Sequence, residues 1–210
     1  MKNNNELCLL GAGGFSFDLI ACFYNELIEY EVINVLDDNR HFDDFNYNGI
    51  FVKYGGIIEE NISKYANVII PFGDFNTRKY FFNICERKKV HVLSLISSEA
   101  RLGLFVSIGS GSIVFPGAFI GSYCKLEEGV IVQLNSVVGH DSLIGSFTRV
   151  DCGALIVGGS RIGSECYIHS NAVVGHNVEL RKGSILSAGT FAHKSTEEGE
   201  TVFLHSKYIK

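Results

Sequence analysis

Aliphatic residues recur at every sixth position from Leu102 to Ala192. A small or thin residue stands four positions after each of them, and glycine often follows directly. A period of six is neither helical nor a simple alternation; it is the period of a parallel β-helix. Each six residues should form one short strand and one corner, with the aliphatic side chain inside and glycine easing the turn. Three such units close a triangular coil, so the run predicts a prism of about five coils that are stable only against their neighbours. The aliphatic positions are Leu102, Ile108, Val114, Ile120, Leu126, Val132, Val138, Ile144, Val150, Ile156, Ile162, Ile168, Val174, Leu180 and Leu186.

The N-terminal pattern is different and predicts a βαβ unit. An apolar run over residues 7–10 leads into the turn Gly11-Ala12-Gly13-Gly14, then an amphipathic stretch over 15–29, then a second apolar run that ends in Asp37-Asp38. A glycine turn at a helix N-terminus can receive a phosphate, and an acid at the end of the second strand can bind a ribose hydroxyl. The turn lacks the third, spaced glycine of the dinucleotide fingerprint. A nucleotide site and a merely tight turn therefore both stay open.

The remainder of the chain fits two further parts. We expect a loop over 41–56 that contains a short strand at 50–53, then a strand over 68–72, a helix over 76–88 and a strand over 90–95. Residues 1–98 would then form a small α/β domain of roughly four parallel strands. Residues 99–195 would form the β-helix, and residues 196–210 a C-terminal tail lying back on the prism.

Composition narrows the class of protein. The chain has 210 residues, 46% of them hydrophobic, and a net charge of −5 without a basic run, so we expect no nucleic-acid partner. The apolar run near the N-terminus is too short for a signal peptide or a membrane span. Six cysteines occur without paired spacing, which favours reduced thiols in a cytoplasmic protein.

Two histidines occupy the same position of the repeat. His140 and His176 both follow Val-Val-Gly, and 36 residues, or two coils, separate them, which places them roughly 10 Å apart. Asp141 follows the first, whereas Asn177 follows the second. A carboxylate orients an imidazole and stabilises the imidazolium, so His140 is the better candidate for a general base. The alternative is that both are exposed corner residues without a chemical role.

Two other kinds of chemistry are disfavoured. A zinc ion binds histidine nitrogens at about 2.0–2.1 Å, so His140 and His176 of one chain cannot share a metal, and a partner chain would have to intervene. Arg181 stands five residues after His176, where such a shared site would place another histidine, so we expect no metal site. Cys152 has no neighbouring base in the sequence and stands in a run of small residues, so its expected role is packing rather than nucleophilic catalysis.

The whole chain resembles the bacterial hexapeptide-repeat sugar acetyltransferases. These include the nucleotide-linked 4-amino-sugar N-acetyltransferases of the bacillosamine type and the sialic-acid O-acetyltransferases. The resemblance implies a left-handed prism, a homotrimer, and acetyl-CoA lying in the groove between adjacent prisms. It is carried by the GAGG turn, LDD at 36–38, GDFNTRK at 73–79, HDSLIG at 140–145 and VGGSRIG at 157–163.

The resemblance also implies roles for individual residues. His140 would deprotonate the sugar amine, Asp141 would orient His140, and the Gly158 N–H would stabilise the oxyanion. No metal or covalent enzyme intermediate is implied. The implied nucleotide-sugar site comprises Gly11, Gly13, Gly14, Phe15, Asp37, Asp38, Gly73, Asp74 and Arg78. The implied acetyl-CoA site comprises Arg149, Gly158, Gly159, His176, Ala188 and Lys194.

The predicted function is that of a cytoplasmic, acetyl-CoA-dependent N-acetyltransferase without membrane insertion. Its acceptor would be a UDP- or dTDP-linked amino sugar for bacterial lipopolysaccharide or capsule biosynthesis. O-acetylation of a sialic acid is the alternative among enzymes, and a non-catalytic nucleotide-sugar-binding scaffold is the alternative outside them. The chain departs from the family pattern at Phe15 and Arg149, where the family carries histidines, and in the tail over 204–209. The first two departures leave the identity of the sugar open.

Overall fold

A computed structural model describes residues 6–203, and its contacts divide the chain into two units, Met1–Ser98 and Glu99–Lys210. The first unit alternates strands and helices. Its elements are β1 (Glu6–Leu10), α1 (Gly14–Cys22), α2 (Tyr24–Leu27), β2 (Val32–Leu36), β3 (Phe45–Tyr47), β4 (Ile50–Gly56), α3 (Ile58–Asn61), a 3₁₀ turn (Ile62–Lys64), β5 (Asn67–Ile69), α4 (Phe75–Lys88), β6 (His91–Val92) and β7 (Leu95–Ile96).

The sheet of the first unit is larger than the sequence predicted. Its strand order is β3-β4-β2-β1-β5-β6, and β3 runs antiparallel to β4 while the other pairs are parallel. The expectation of roughly four parallel strands is therefore wrong. Asn48 and Gly49 join β3 to β4 with φ values of 49° and 101°. Asn-Gly with two positive φ angles is a strong hairpin signal, and the loop interpretation of 41–56 overlooked it.

The helices agree with the sequence pattern only in part. The helix expected over 15–29 is divided into α1 and α2 at Phe23, whose φ of −110° and ψ of 26° end the first helix while its ring is fully buried. The helix expected over 76–88 is confirmed as α4, which begins after Asp74 and ends at Lys89 in the left-handed conformation. The strand expected over 90–95 is replaced by β6 and β7.

The second unit is the predicted prism. Each of its strands is two residues long, and neighbouring strands of one face pair in parallel 18 residues apart, such as Ile120 with Val138. In the last coil the step is shorter, since Ile185 pairs with Thr201. One face carries β8 (Arg101–Leu102), β11 (Phe119–Ile120), β14 (Val137–Val138), β17 (Leu155–Ile156), β20 (Val173–Val174) and β23 (Phe191–Ala192). The second carries β9 (Ser107–Ile108), β12 (Lys125–Leu126), β15 (Leu143–Ile144), β18 (Arg161–Ile162) and β21 (Glu179–Leu180). The third carries β10 (Ile113–Val114), β13 (Ile131–Val132), β16 (Arg149–Val150), β19 (Tyr167–Ile168), β22 (Ile185–Leu186) and β24 (Thr201–Val202).

The interior of the prism follows the period of six. From Val114 to Ala192, the aliphatic residue at each sixth position is buried. Leu102, in the first coil, stays 44% exposed. The small residues next to the corners are buried as well, and their hydroxyls join the coils. Ser136 Oγ donates to the Asp151 carbonyl at 2.8 Å, and Thr148 Oγ1 donates to the Gly163 carbonyl at 2.7 Å. Neighbouring coils are thus held by side chains as well as by the strand ladders.

The described part of the predicted tail continues the prism. After the irregular stretch 193–200, β24 pairs in parallel with β22. The last turn before it is held by Thr196, whose N–H donates to the Glu179 carbonyl at 3.0 Å. Residues 204–210, which include the divergent segment of the tail, lie outside the described residues.

The cysteines are free thiols with packing roles. Burial raises the pKa of Cys85 to about 12 and that of Cys166 to about 11. Because the thiolate is the reactive form, burial disfavours reaction of these two thiols. Across residues 6–203, the structure contains no helix with the length and apolar content needed to cross a membrane.

Candidate active site

One edge of the prism carries the predicted base, and we call it the His140 corner. It consists of the second and third residues after each strand of the β8 to β23 face, brought into one column by the 18-residue register. From the N-terminal to the C-terminal coil, the pairs are Leu104-Phe105, Ser122-Tyr123, His140-Asp141, Gly158-Gly159, His176-Asn177 and Lys194-Ser195. The column therefore changes from apolar and aromatic side chains through a base and two glycines to basic side chains.

His140 and Asp141 form a hydrogen-bonded dyad. His140 Nδ1 lies 2.7 Å from Asp141 Oδ2, and the two side chains are 67% and 62% exposed. Asp141 adopts a φ of 57°, and its N–H donates to the Ser122 carbonyl at 2.9 Å, which holds the carboxylate beside the ring. A carboxylate accepts the proton on Nδ1, so Nε2 of the neutral imidazole carries the lone pair. The dyad thus presents a proton acceptor to the outside of the prism.

Gly158 lies directly against the imidazole in the next coil. A Cβ built on Gly158 would stand 2.8 Å from His140 Nε2 and 3.0 Å from the adjacent ring carbons. Only glycine therefore allows the ring to rest at this position. The Gly159 N–H donates to the His140 carbonyl at 2.8 Å, whereas no acceptor within residues 6–203 takes the Gly158 N–H. The predicted oxyanion donor and the predicted base are thus neighbours.

The second histidine has a different environment. His176 is exposed, and the neighbouring Asn177 points its side-chain oxygen at Gly159, where an added Cβ would meet it at 2.1 Å. In the described chain, no carboxylate lies within hydrogen-bonding distance of the His176 ring. Among the described residues, therefore, His140 has a carboxylate partner and His176 has none, as the residues that follow them in the sequence indicate.

Arg149 contacts other side chains on the same face of the prism. Its Nε donates to Asp151 Oδ1 at 2.6 Å, and its guanidinium lies 5.0 Å from the centre of the Tyr167 ring. Asp151 is buried, and its other oxygen lies 3.8 Å from Nδ1 of His169, which stacks on Tyr167. The expected contact between Arg149 and acetyl-CoA would have to compete with this cluster. Sequence reasoning missed the cluster, although the 18-residue register aligns Arg149 with Tyr167.

Two other residues of the expected acetyl-CoA site lie outside this cluster. Ala188 and Lys194 are exposed, and Lys194 stands in the His140 corner one coil beyond His176. Cys152, by contrast, points its sulfur at Gln133 Oε1 at 3.1 Å, and no hydrogen bond within residues 6–203 joins its thiol to a histidine or a carboxylate. Its environment is that of a packing residue, as the sequence indicates.

A cavity of about 430 Å³ opens beside the carboxyl ends of the strands in the first unit. The predicted residues Asp37 and Asp38 line it, as do residues that the sequence did not single out. These others are Asn39, Ile58, Phe72, Asn76, Thr77, Tyr80 and Phe81. The spacing of residues 76, 77, 80 and 81 on one side of α4 is the signal that could have identified them.

Asp37 holds the backbone around this cavity. Its Oδ2 accepts the Ala12 N–H at 2.6 Å, and its Oδ1 accepts the N–H groups of Asn39 and Arg40 at 2.7 Å. Asp38 is exposed and uses one oxygen to accept the Ile58 N–H at 2.8 Å. The first carboxylate therefore joins the glycine turn to the end of β2, and the second belongs to a residue that lines the cavity.

The glycine turn has the shape that the sequence predicts. Gly11 has a φ of 100°, and a Cβ there would meet the Phe72 ring at 2.6 Å. Gly13 precedes α1 in extended conformation, and a Cβ on Gly13 or Gly14 would have no neighbour within 4 Å. The half-buried Phe15 lies in the first turn of α1. The open side of this turn is where a phosphate could approach the helix N-terminus.

Two residues of the GDFNTRK segment have structural roles. Arg78 is fully buried, and its Nη1 donates to the carbonyls of Phe72 and Gly73 at 2.8 Å. The expected direct contact between Arg78 and a nucleotide is therefore corrected, because the guanidinium supports the loop instead. Asp74 caps α4 by accepting the Thr77 N–H and hydroxyl, both at 2.7 Å. Burial alone would raise the pKa of Asp74, but these hydrogen bonds lower it below its ordinary value.

A metal centre finds no support in the described residues. Within 6–203, no group of three or more histidine, cysteine, aspartate or glutamate side chains is placed to hold a metal ion.

Comparison with known proteins finds similarities to the first unit and to the whole chain. The PglD N-terminal domain model matches residues 6–85. The acetyltransferase domain of PglB from Neisseria gonorrhoeae is 26% identical, with 94% of this chain and 96% of that chain covered and a TM-score of 0.84. Its complex with acetyl coenzyme A is 25% identical, covers 95% and 96%, and has the same TM-score. No curated protein sequence matches the chain.

A more distant structure shares the fold. PerB from Caulobacter crescentus, determined with CoA and GDP-perosamine, is 17% identical, with 95% and 94% of the two chains covered and a TM-score of 0.82. Together these similarities confirm the predicted fold class, an α/β unit followed by a left-handed parallel β-helix, and the resemblance to hexapeptide-repeat sugar acetyltransferases.

Proposed function

We propose that this chain, a hexapeptide-repeat acyltransferase, moves the acetyl group of acetyl-CoA to the amine of a nucleotide-linked amino sugar. The observation that carries the proposal is the arrangement at the His140 corner. Asp141 holds the imidazole through Nδ1 at 2.7 Å, and Gly158 adjoins its Nε2 side. A base, its orienting carboxylate and a backbone donor are the groups that acyl transfer to an amine requires.

The reaction runs as a direct transfer. The sugar amine attacks the thioester carbonyl carbon while His140 Nε2 accepts a proton from the nitrogen. The Gly158 N–H donates a hydrogen bond to the developing oxyanion. The carbon–sulfur bond then breaks, and the CoA thiolate takes the proton from the imidazolium. Asp141 stabilises the imidazolium between these two proton transfers. Cys152 takes no part, since no base activates its thiol.

The C-terminal half of the His140 corner suits acetyl-CoA. Gly158 and Gly159 place no side chains beside the base, so a thioester can approach it closely. His176 and Lys194, further along the same column, offer donors and positive charge to phosphate groups. The neighbouring glycines and basic residues therefore form a path that ends at His140.

The cavity of the first unit suits the nucleotide of the acceptor. The open glycine turn at the start of α1 offers backbone donors to a diphosphate, as the sequence motif implies. Asp38 lines the cavity and accepts one N–H through Oδ1, so a ribose hydroxyl or a base N–H could donate to its carboxylate. Asp37 contributes by holding the turn. We assign a UDP- or dTDP-type sugar to this cavity.

We further propose a homotrimer that works in the cytoplasm on a lipopolysaccharide or capsule precursor. The side chains of His140 and Asp141 are 67% and 62% exposed, so within residues 6–203 of one chain the dyad is open to water. A neighbouring prism would supply the missing wall, and exclusion of water strengthens the electrostatic contacts of the transition state. Light scattering at micromolar concentration should give the mass of three chains; a fully active monomer would refute the trimer.

Steady-state assays can test the activity. Thiol release from acetyl-CoA is measured with UDP-, dTDP- and GDP-linked amino sugars and with a sialic acid, and mass spectrometry locates the new acetyl group. Acetylation of a nitrogen on a nucleotide-linked sugar, lost in His140→Ala, is the expected result. Acetylation of sialic-acid hydroxyls alone would replace the proposal with O-acetylation. Nucleotide-sugar binding without any turnover would identify a non-catalytic scaffold.

A further inference from the structure

Two aromatic side chains occupy the N-terminal half of the His140 corner. The rings of Phe105 and Tyr123 stack with their centres 5.1 Å apart and their planes at 25°. Phe105 is 73% exposed and Tyr123 is 61% exposed. Because each coil rises about 4.8 Å, Tyr123 stands roughly 5 Å and Phe105 roughly 10 Å before Asp141 along the column. The stacked pair therefore forms an open apolar surface beside the dyad.

The backbone of this pair is in a conformation that aromatic residues seldom adopt. Phe105 and Tyr123 have φ values of 59° and 62°, in the left-handed region that glycine and asparagine favour. For a bulky residue this conformation is strained, because the Cβ comes close to the following carbonyl oxygen. Phe147 is also at a corner with a φ of 60°, but it is only 7% exposed and so gains burial in return. Phe105 and Tyr123 stay exposed, so burial does not offset the strain of their backbone. This points to a binding role.

We propose that Phe105 and Tyr123 form the surface on which the sugar ring of the acceptor stacks during transfer. This inference rests on the proposed function. Direct transfer needs the two substrates to meet at His140, and the glycines and basic residues beyond it suit acetyl-CoA. The acceptor then approaches from the other side of the dyad, where the aromatic pair stands. Aromatic faces bind the C–H faces of a pyranose while its amine projects towards Nε2.

Asparagine variants provide the test, because asparagine occupies the same corner at Asn177 with a φ of 55°. Phe105→Asn and Tyr123→Asn should each raise the KM for the nucleotide-linked amino sugar about threefold to tenfold, the effect of losing one aromatic contact. The double variant should raise it further. The KM for acetyl-CoA and the inhibition constant of the free nucleoside diphosphate should not change. The melting temperature should stay constant or rise, since the backbone strain is relieved.

Phe119→Thr is the matched control. Phe119 is 42% exposed in the coil of Tyr123, but it lies on a prism face and not at the corner. Its substitution should leave the sugar KM unchanged. An unchanged sugar KM in the double variant of an active enzyme would overturn the inference and leave the proposed function intact. A raised acetyl-CoA KM, an equal effect of Phe119→Thr, or a changed oligomeric mass would also overturn it. Absence of turnover in the wild-type protein would refute the proposed function and this inference together.

Discussion

The His140 corner and the cavity of the first unit use their polar residues in opposite ways. At the corner, His140 and Asp141 bond to each other and project outwards, while the ladders between coils hold the backbone. At the cavity, Asp37 accepts three backbone N–H groups and Arg78 donates to two carbonyls, so these charged side chains themselves hold the loops.

The comparison shows what a repeat provides for a functional site. In the prism, neighbouring coils hold the corner backbone, as where the N–H groups of Asp141 and Gly159 donate to carbonyls one coil earlier, and this leaves the corner side chains available for chemistry. The loops after β2 and β5 have no such ladder, and buried backbone groups there need side-chain partners. A charged residue in a loop motif is therefore a weaker indication of ligand contact than a charged residue at a prism corner.

Removal of the base should have the largest effect. We expect His140→Ala to lower kcat by about 10²–10⁴-fold, the usual contribution of general-base catalysis, with nucleotide-sugar affinity nearly unchanged. His176→Ala is the control, since it disturbs the same corner without removing a carboxylate-bound ring; it should act on the KM for acetyl-CoA. Steady-state kinetics and thermal melts separate the two. If His176→Ala abolishes turnover while His140→Ala does not, the base is wrongly assigned.

Asp37→Ala tests whether charged side chains hold the loops at the cavity, and it should destabilise the first unit. Loss of the carboxylate leaves three backbone N–H groups without an acceptor, which we expect to lower the free energy of unfolding by roughly 3 kcal/mol. Asp38→Ala removes one exposed hydrogen bond, costs about 1 kcal/mol or less, and is the better probe of nucleotide affinity. Denaturant unfolding and calorimetry measure these effects. A stable Asp37→Ala protein that no longer binds nucleotide would mean that Asp37 contacts the ligand.

A methyl group at Gly158 should displace the imidazole. In Gly158→Ala the added Cβ would meet Nε2 at 2.8 Å, and a shift of about 1 Å in a reacting group costs roughly 10²-fold in rate. Gly14→Ala, at a position with open space around its Cβ, is the stability control for an added methyl group. Single-turnover rates would show the loss. Unchanged turnover in Gly158→Ala would exclude the close approach of base and glycine as a catalytic requirement.

Neutralising Asp141 should have a smaller effect than removing the base. Asp141→Asn keeps a hydrogen-bonding side chain at the same corner but loses the charge that stabilises the imidazolium. We expect kcat to fall by at least about tenfold, yet by less than in His140→Ala. The comparison uses initial rates at saturating substrate. A loss equal to that of His140→Ala would indicate that orientation of the ring matters more than its basicity.

Of these substitutions, Asp74→Ala should have the smallest effect, and its effect on the free energy of unfolding should depend most on pH. Asp74→Ala removes the cap of α4 and should lower the free energy of unfolding by about 1 kcal/mol at pH 7. Because hydrogen bonds lower the pKa of Asp74 in the folded state, its contribution is present above the ordinary carboxyl pKa of about 4. The contribution is lost as the pH falls through the lowered value. Unfolding curves at several pH values should therefore converge in acid; a constant difference would contradict this.

Much of the second unit could be predicted from the sequence because its period repeats the same local rule. The inward residues, the small corner residues and the column that contains His140 and His176 all follow from counting in sixes and eighteens. Even there, the counting did not reveal that Arg149 is held by Asp151 and Tyr167. Contacts between side chains depend on rotamers, which the period does not specify.

The sequence by itself determined the prism, its corner register and the candidate dyad, since each rests on local spacing and on ladders between equivalent positions. Only the tertiary structure decided that Asp37 holds the glycine turn and that Arg78 holds the loop after β5. These outcomes depend on which buried backbone groups remain to be satisfied after the chain has packed. That requirement joins residues distant in sequence, so no local pattern could have revealed it.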